Sequence, residues 1–185
     1  MLAPVLFCIA IDWILYHSSC TGTIGTTVGS SKFTDQDYAD DAVLFSDCPS
    51  KWRWPYTLSS FDEAAHTMGL NISWSKTKIQ NLGHGVTPAP VQLQSHIVES
   101  TDRFTYLGSD IHSSERSTPE ILRRIGLASN IFGRLANLWK RTGLSLQTKI
   151  RLYNALVISV LLYGSETWTL LKADERRIEA FHMNC

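Results

Sequence analysis

Asp37-Tyr38-Ala39-Asp40-Asp41-Ala42-Val43-Leu44-Phe45-Ser46 is the stretch on which the fold turns. Two short β-prone runs, Lys32 to Asp37 and Ala42 to Phe45, flank the tetrapeptide Tyr38-Ala39-Asp40-Asp41. Val43, Leu44 and Phe45 suit a half-buried strand and Ala39 is small enough for a tight turn, so the spacing predicts a hairpin with carboxylates at its tip. Asp35 and Asp37 lie close by. Crowded carboxylates resist joint ionisation unless a cation neutralises them. Hard oxygen ligands on a turn suit Mg²⁺, which takes one or two protein carboxylates and keeps its remaining positions for water and substrate phosphates. A solvated Asp-rich turn satisfies the same residues taken alone. A calcium loop does not fit: counting from Asp35, Asp40 falls where Gly is required and Ser46 where Glu is required.

Working outward, Leu2, Leu6, Ile9, Ile11, Ile14 and Leu15 roughly follow a helical period that ends near His17, with Pro4 tolerated in the first turn. The Gly, Ser and Thr-rich run from Ser18 to Ser31 breaks that helix and leaves room for one strand around Thr23 to Val28. After the hairpin, Leu58, Phe61, Ala64, Ala65 and Met68 predict an amphipathic helix stopped by Gly69. Small strands are expected at Ile79 to Leu82, Val91 to Val98 and Arg103 to Ile111, the last bent at Gly108. Beyond Ser117 the pattern turns helical. Thr118 is the expected cap, with Pro119 at the first position and Glu120 in the first turn, of a helix running to Trp139 or Lys140. A second helix capped by Ser145 and a third from Ala173 to the end follow.

Composition narrows the class without naming a function. The chain has 185 residues, of which 44% are hydrophobic, enough for a buried core. Its 17 basic residues balance 17 acidic ones, so any pull on nucleic acid must come from local patches. Cys8, Cys20, Cys48 and Cys185 show no metal-ligand spacing and are expected to be buried thiols in a reducing compartment. The apolar start has no basic residue ahead of it, carries Asp12 and is too short to span a bilayer. The expectation is an intracellular protein, nuclear or cytoplasmic, that is neither secreted nor membrane-bound.

Tyr38-Ala39-Asp40-Asp41 resembles the YADD or FADD box of reverse transcriptases, and its neighbours fall in the order seen in that family. Leu2-Ala3-Pro4-Val5-Leu6-Phe7 followed by Asp12 is similar to the end of the preceding template- and nucleotide-contacting motif. Met68-Gly69-Leu70-Asn71-Ile72 with Ser75-Lys76-Thr77-Lys78 resembles the next palm motif, and Phe104-Thr105-Tyr106-Leu107-Gly108 the hairpin associated with the primer grip. Arg123-Arg124-Ile125, Lys149-Ile150-Arg151-Leu152-Tyr153 and Leu162-Tyr163-Gly164-Ser165-Glu166-Thr167-Trp168 resemble the thumb and following segment of LINE-type (non-LTR) retrotransposon enzymes.

The resemblance implies an α+β fold: a partial polymerase palm of antiparallel hairpins and helices over residues 1–115, then a helical thumb-like region over 116–185. It implies RNA-directed DNA synthesis with Mg²⁺, deoxynucleoside triphosphates, an RNA template and a DNA primer. Asp40 becomes the principal metal ligand and Asp41 a supporting one. Tyr38, Tyr106, Leu107 and Gly108 become primer-contacting residues, and Lys76 and Lys78 become candidates for a phosphate contact, although lysines near a strand edge are ordinarily solvated. The family also uses an aspartate from an earlier palm motif, and nothing before Asp12 can replace it. The chain alone is therefore expected to extend no primer. The alternative is a non-catalytic, retroelement-derived remnant that binds nucleic acid. Trp52, Trp54 and Pro55 stand where the family carries polar, helix-favouring residues.

Charge is segregated along the chain. From Thr118 to Arg151 there are seven basic residues against Glu120 alone, whereas Asp12, Asp35, Asp37, Asp40, Asp41 and Asp47 face only Lys32 in the first fifty positions. Arg123, Arg124, Lys140 and Arg141 are the expected nucleic-acid-binding residues, on a stretch that is otherwise an ordinary solvated helix face.

Overall fold

The computed structural model describes residues 2–19, 24–47, 54–93 and 96–185. Cys20, Cys48 and Trp52 lie outside them. The fold is α+β, with helices and small, mostly antiparallel sheets. It divides into two compact units, residues 1–81 with 86–101 and residues 82–85 with 102–185.

The first unit opens with α1 (Ala3–Ser19). Its inner face, Ile11, Ile14 and Leu15, is buried against Ala64 and Ala65 of α2 (Trp54–Thr67), with Phe7, Phe61, Leu70 and Ile72 packed around them. Two alanines let the helices approach closely, and each large side chain buried here contributes about 1.5–3 kcal/mol. The opposite face of α1 is also apolar: Val5, Leu6, Ile9 and Tyr16 are exposed, as is Leu2 just before the helix. The helix is thus apolar nearly all round, with one face buried. Pro55 sits in the first turn of α2, where the missing amide costs little. Its far end closes as the sequence predicts. Gly69 takes φ 73° and its amide donates to the His66 carbonyl, while the Leu70 amide donates to that of Ala65, the two bonds of a Schellman cap.

Four short strands follow α1. β1 (Thr26–Val28) pairs with β2 (Ser31–Phe33), and β3 (Asp35–Tyr38) pairs with β4 (Asp41–Leu44), both antiparallel. The single strand expected over Lys32 to Asp37 is therefore two. Thr34 separates them, its carbonyl accepting from the Phe45 amide. β5 (Lys78–Ile79) pairs in parallel with β7 (His96–Ser100), and β6 (Val91–Leu93) pairs antiparallel on the other side of β7. One parallel pair thus stands beside the antiparallel hairpins. Leu58, Ile79, Leu93 and Val98 make a second small core, with Trp54, Trp74 and Val91 around it.

The second unit starts with a hairpin, β8 (Arg103–Tyr106) and β9 (Ser109–His112). Gly108 is not a bend within one strand. It is the second residue of a two-residue turn, with Leu107 at φ 48° and Gly108 at φ 78°, the pair of positive φ values that defines a type I′ turn. Ser117, not Thr118, stands at the N-cap position of α3 (Thr118–Arg134), and its side chain makes no capping bond, its hydroxyl accepting from the Thr169 amide instead. The Thr118 hydroxyl is engaged elsewhere, donating to fully buried Asp174 at 2.9 Å. The helix breaks at Leu135, and α4 (Ala136–Trp139) continues beyond it. Ser145 caps α5 (Leu146–Tyr153) as the sequence predicts, accepting from the Thr148 amide. A π-helical turn (Asn154–Ile158) links α5 to α6 (Ser159–Leu161), and α7 (Lys172–Asn184) packs back on α3. Ala128, Val157 and Leu161 form the core here, ringed by Phe132, Trp139, Tyr153, Ile178 and Phe181.

Candidate functional site: an acidic hairpin and a clamped turn

The β3–β4 register pairs Tyr38 with Asp41, so Ala39 and Asp40 are the two turn residues. Only Ala39 has positive φ, at 56°, the pattern of a type II′ turn, in which Gly is usual at that position. Alanine is the smallest residue that can stand there without being Gly. Side chains alternate across the ladder, which sorts the four aspartates. Asp41 shares a face with Gln36, Tyr38 and Val43, whereas Asp35 and Asp37 share the opposite face with Ala42 and Leu44. Tyr38, Asp40 and Asp41 are all exposed. The tip thus presents Asp40 and Asp41 together, with the Tyr38 ring beside Asp41. Asp35 is occupied lower down, accepting a short bond from the Thr34 hydroxyl. It lines an open cleft of about 510 Å³ with Asp12, Trp13, Leu15, Tyr16 and Thr34.

Two exposed carboxylates on a fixed turn suit the one or two protein ligands that Mg²⁺ accepts when phosphates and waters complete its shell. Among the described residues no group of three or more His, Cys, Asp or Glu could hold a metal ion. The two lysines differ: Lys78 donates to Glu99 at 2.7 Å, while Lys76 is exposed. Cys8 and Cys185 are exposed, contrary to the expectation of buried thiols.

In the second unit Tyr106, Leu107 and Gly108 are brought together with Arg123 and Arg124, though not as a row of free cations. Glu120 is buried at the centre. Its Oε2 accepts from the Asp110 amide and from Arg123 Nε at 2.7 Å, and its Oε1 from Arg123 Nη2 at 2.9 Å and Arg124 Nε at 2.6 Å. Both arginines then reach the Gly108 carbonyl through Nη2, Arg123 at 2.7 Å. The Tyr163 hydroxyl donates to the Leu107 carbonyl at 2.9 Å, and the Arg124 guanidinium lies 4.5 Å from the centre of the Tyr163 ring. Asp110 accepts from Thr105 and Arg103 and pairs with Arg123 at 3.3 Å. Burial acts to raise the Glu120 and Asp110 carboxyls, but these donors and charges outweigh it and hold both below their ordinary values.

Sequence reasoning missed this cluster. The available signal was Glu120 with Arg123 and Arg124 at i+3 and i+4, the spacing at which helical side chains meet. Lys140 and Arg141 are exposed, as are Arg134 and Arg151, and these four form no ion pair among the described residues. Lys149 donates to the Trp139 carbonyl at 2.7 Å.

No described helix is long and apolar enough to cross a membrane. No protein-family model and no solved structure matches the chain. In an alignment of 162 positions that covers 84% of its length, it is 30% identical to a transposon-derived protein of Caenorhabditis elegans, of which it spans 56%. A transposon-derived origin is what this similarity supports for the sequence.

Proposed function

We propose that the chain is part of an RNA-directed DNA polymerase of the LINE-type reverse transcriptase class, with its β3–β4 hairpin as one half of a magnesium site. The observation that carries this reading is the placement of Asp40 in the turn and Asp41 next to it, both exposed, on a ladder whose register turns Asp35 and Asp37 to the other face. Asp40 would be the principal ligand and Asp41 a supporting one, with Tyr38 beside the primer end. Bound there, Mg²⁺ supplies activation of the primer 3′-hydroxyl and charge stabilisation of the departing pyrophosphate. The chain's own part is to hold two carboxylates at a fixed tip and to leave the space in front of them open. A transposon-derived relative supports the setting, since copying an RNA is one way such elements spread.

A second reading, a nucleic-acid-binding remnant without catalysis, is favoured by the exposed cations Arg134, Lys140, Arg141 and Arg151. Both readings predict binding to an RNA template carrying a DNA primer, and one titration separates them. Under the polymerase reading, Mg²⁺ together with the nucleotide complementary to the template tightens that binding. Asp40→Asn then removes the increment and leaves metal-free affinity as it was. If the complementary nucleotide adds nothing, the polymerase reading fails and the remnant reading stands.

A further inference from the structure

The Leu107-Gly108 turn is held to an unusual degree for a surface hairpin. Both of its carbonyls are taken by side chains from distant parts of the second unit. Leu107 accepts from Tyr163, 56 residues away in sequence, and Gly108 accepts from both Arg123 and Arg124. The arginines are themselves fixed by Glu120, whose side chain is 4% exposed. Arg124 is further covered by the Tyr163 ring, a cation–π contact that is stronger when desolvated. The Tyr163 ring also packs over the turn, since a Cβ on Gly108 would make ordinary van der Waals contact with it at 3.6 Å. Leu107 stays in the left-handed region, where a leucine is strained, and keeps 37% of its surface exposed. A strained apolar residue kept at a surface tip by a buried charge cluster is a recognisable mark of a contact point set in advance.

We propose that Glu120, Arg123, Arg124 and Tyr163 are positioning residues that hold the Leu107-Gly108 turn as a preformed edge against a nucleic-acid strand, and that Arg123 and Arg124 do not bind phosphate. Phosphate contact falls to Arg134, Lys140, Arg141 and Arg151, whose charges are free among the described residues. The strand in question rests on the function proposed above; the internal clamp does not.

Two measurements on the full chain test this. The first is amide exchange across Tyr106–Ser109 in the parent, Arg123→Gln and Tyr163→Phe. Each variant should speed exchange at that turn by at least about tenfold, the worth of one hydrogen bond; Tyr163→Phe should do so with little change in the melting temperature, whereas Arg123→Gln, which also strips two donors from buried Glu120, should lower it. The second is affinity for the primed RNA template across a salt series. A protein releases counterions in proportion to the phosphates it neutralises, so a lost phosphate contact lowers the salt slope by about one. Arg123→Gln and Tyr163→Phe should weaken binding severalfold at every salt concentration with the slope unchanged, whereas Lys140→Gln with Arg141→Gln should flatten it. A slope reduced by Arg123→Gln would make that arginine a phosphate ligand and overturn the proposal. So would faster turn exchange with unaltered affinity, which would leave the clamp merely structural. If the parent binds no hybrid at all, the proposed function fails and the strand-contact role fails with it, while unchanged turn exchange would refute the clamp independently.

Discussion

Ala39 and Leu107 each occupy a turn position with positive φ, at 56° and 48°, where L-residues other than Asn and Asp are uncommon. The two turns differ in what holds them. Leu107 is tied through its own carbonyl to Tyr163, whereas Ala39 stands at a hairpin tip whose flanking residues, Tyr38, Asp40 and Asp41, are all exposed. Backbone strain at Ala39 therefore has little to offset it locally. Ala39→Gly should raise unfolding stability by about 0.5–1 kcal/mol, the relief of left-handed strain being partly offset by the entropy that glycine gains in the unfolded chain. Chemical denaturation measures this directly. A loss of stability would mean that Ala39 does not sit in the left-handed region and that the turn is wrongly described. The residue type was readable in advance, since a small residue before Asp40 is what a two-residue turn needs. The sign of φ was not, because it depends on the register of the two strands.

At the scale of elements, the helix signals were the most legible. Gly69 ends α2 and Ser145 caps α5 where the sequence places them, because both devices act within one turn of chain. Thr118 looked like a cap on the same logic, and lost its hydroxyl to Asp174, a residue 56 positions on. The strands were harder to read for the same reason. Lys32 to Asp37 reads as one run, yet its halves serve different partners, and pairing is a tertiary choice. The Glu120 cluster belongs to this scale, since it joins α3 to the β8–β9 hairpin, and it has a consequence for pH. Glu120 and Asp110 titrate below their ordinary values of 4.5 and 3.8 in the folded chain. Burial opposes that shift, and the bonds from Arg123 and Arg124 to Glu120, and from Thr105 and Arg103 to Asp110, outweigh it. A carboxyl that binds its proton more weakly when folded stabilises the fold fully above its unfolded value, and that contribution is lost as pH falls through the lowered one. Denaturation midpoints should therefore drop on acidification below 4.5, the ordinary Glu value. Glu120→Gln should cost about 3 kcal/mol at neutral pH by leaving buried Arg124 without its counter-charge, and should flatten the acid limb. Parallel pH curves for parent and variant would show that the cluster is not what titrates.

Across the whole molecule, a neutral total conceals segregated charge. The first unit carries Asp35, Asp37, Asp40 and Asp41 on one hairpin, and the second carries a run of basic residues. The sequence showed that segregation plainly. It could not show that Arg123 and Arg124 face inward, because local charge counting has no knowledge of Gly108 or Tyr163 folding back on them. The Tyr106-Leu107-Gly108 hairpin lies in the second compact unit, where β9 packs on α3. The acidic tip is the reverse case: the hairpin, with Asp40 in its turn and Asp41 beside it, was legible from ten consecutive residues because a hairpin is local. The central claim, that Asp40 and Asp41 form a cation-binding tip distinct from Asp35 and Asp37, is tested most directly by titrating the isotope-labelled chain with Mn²⁺ and mapping paramagnetic broadening of the backbone amides. The account predicts broadening centred on Ala39 to Ala42, displaced by excess Mg²⁺ and abolished by Asp40→Asn with Asp41→Asn, while Asp35→Asn leaves it in place. Broadening centred on the Asp12 and Asp35 cleft, or unchanged by the double substitution at the tip, would contradict it.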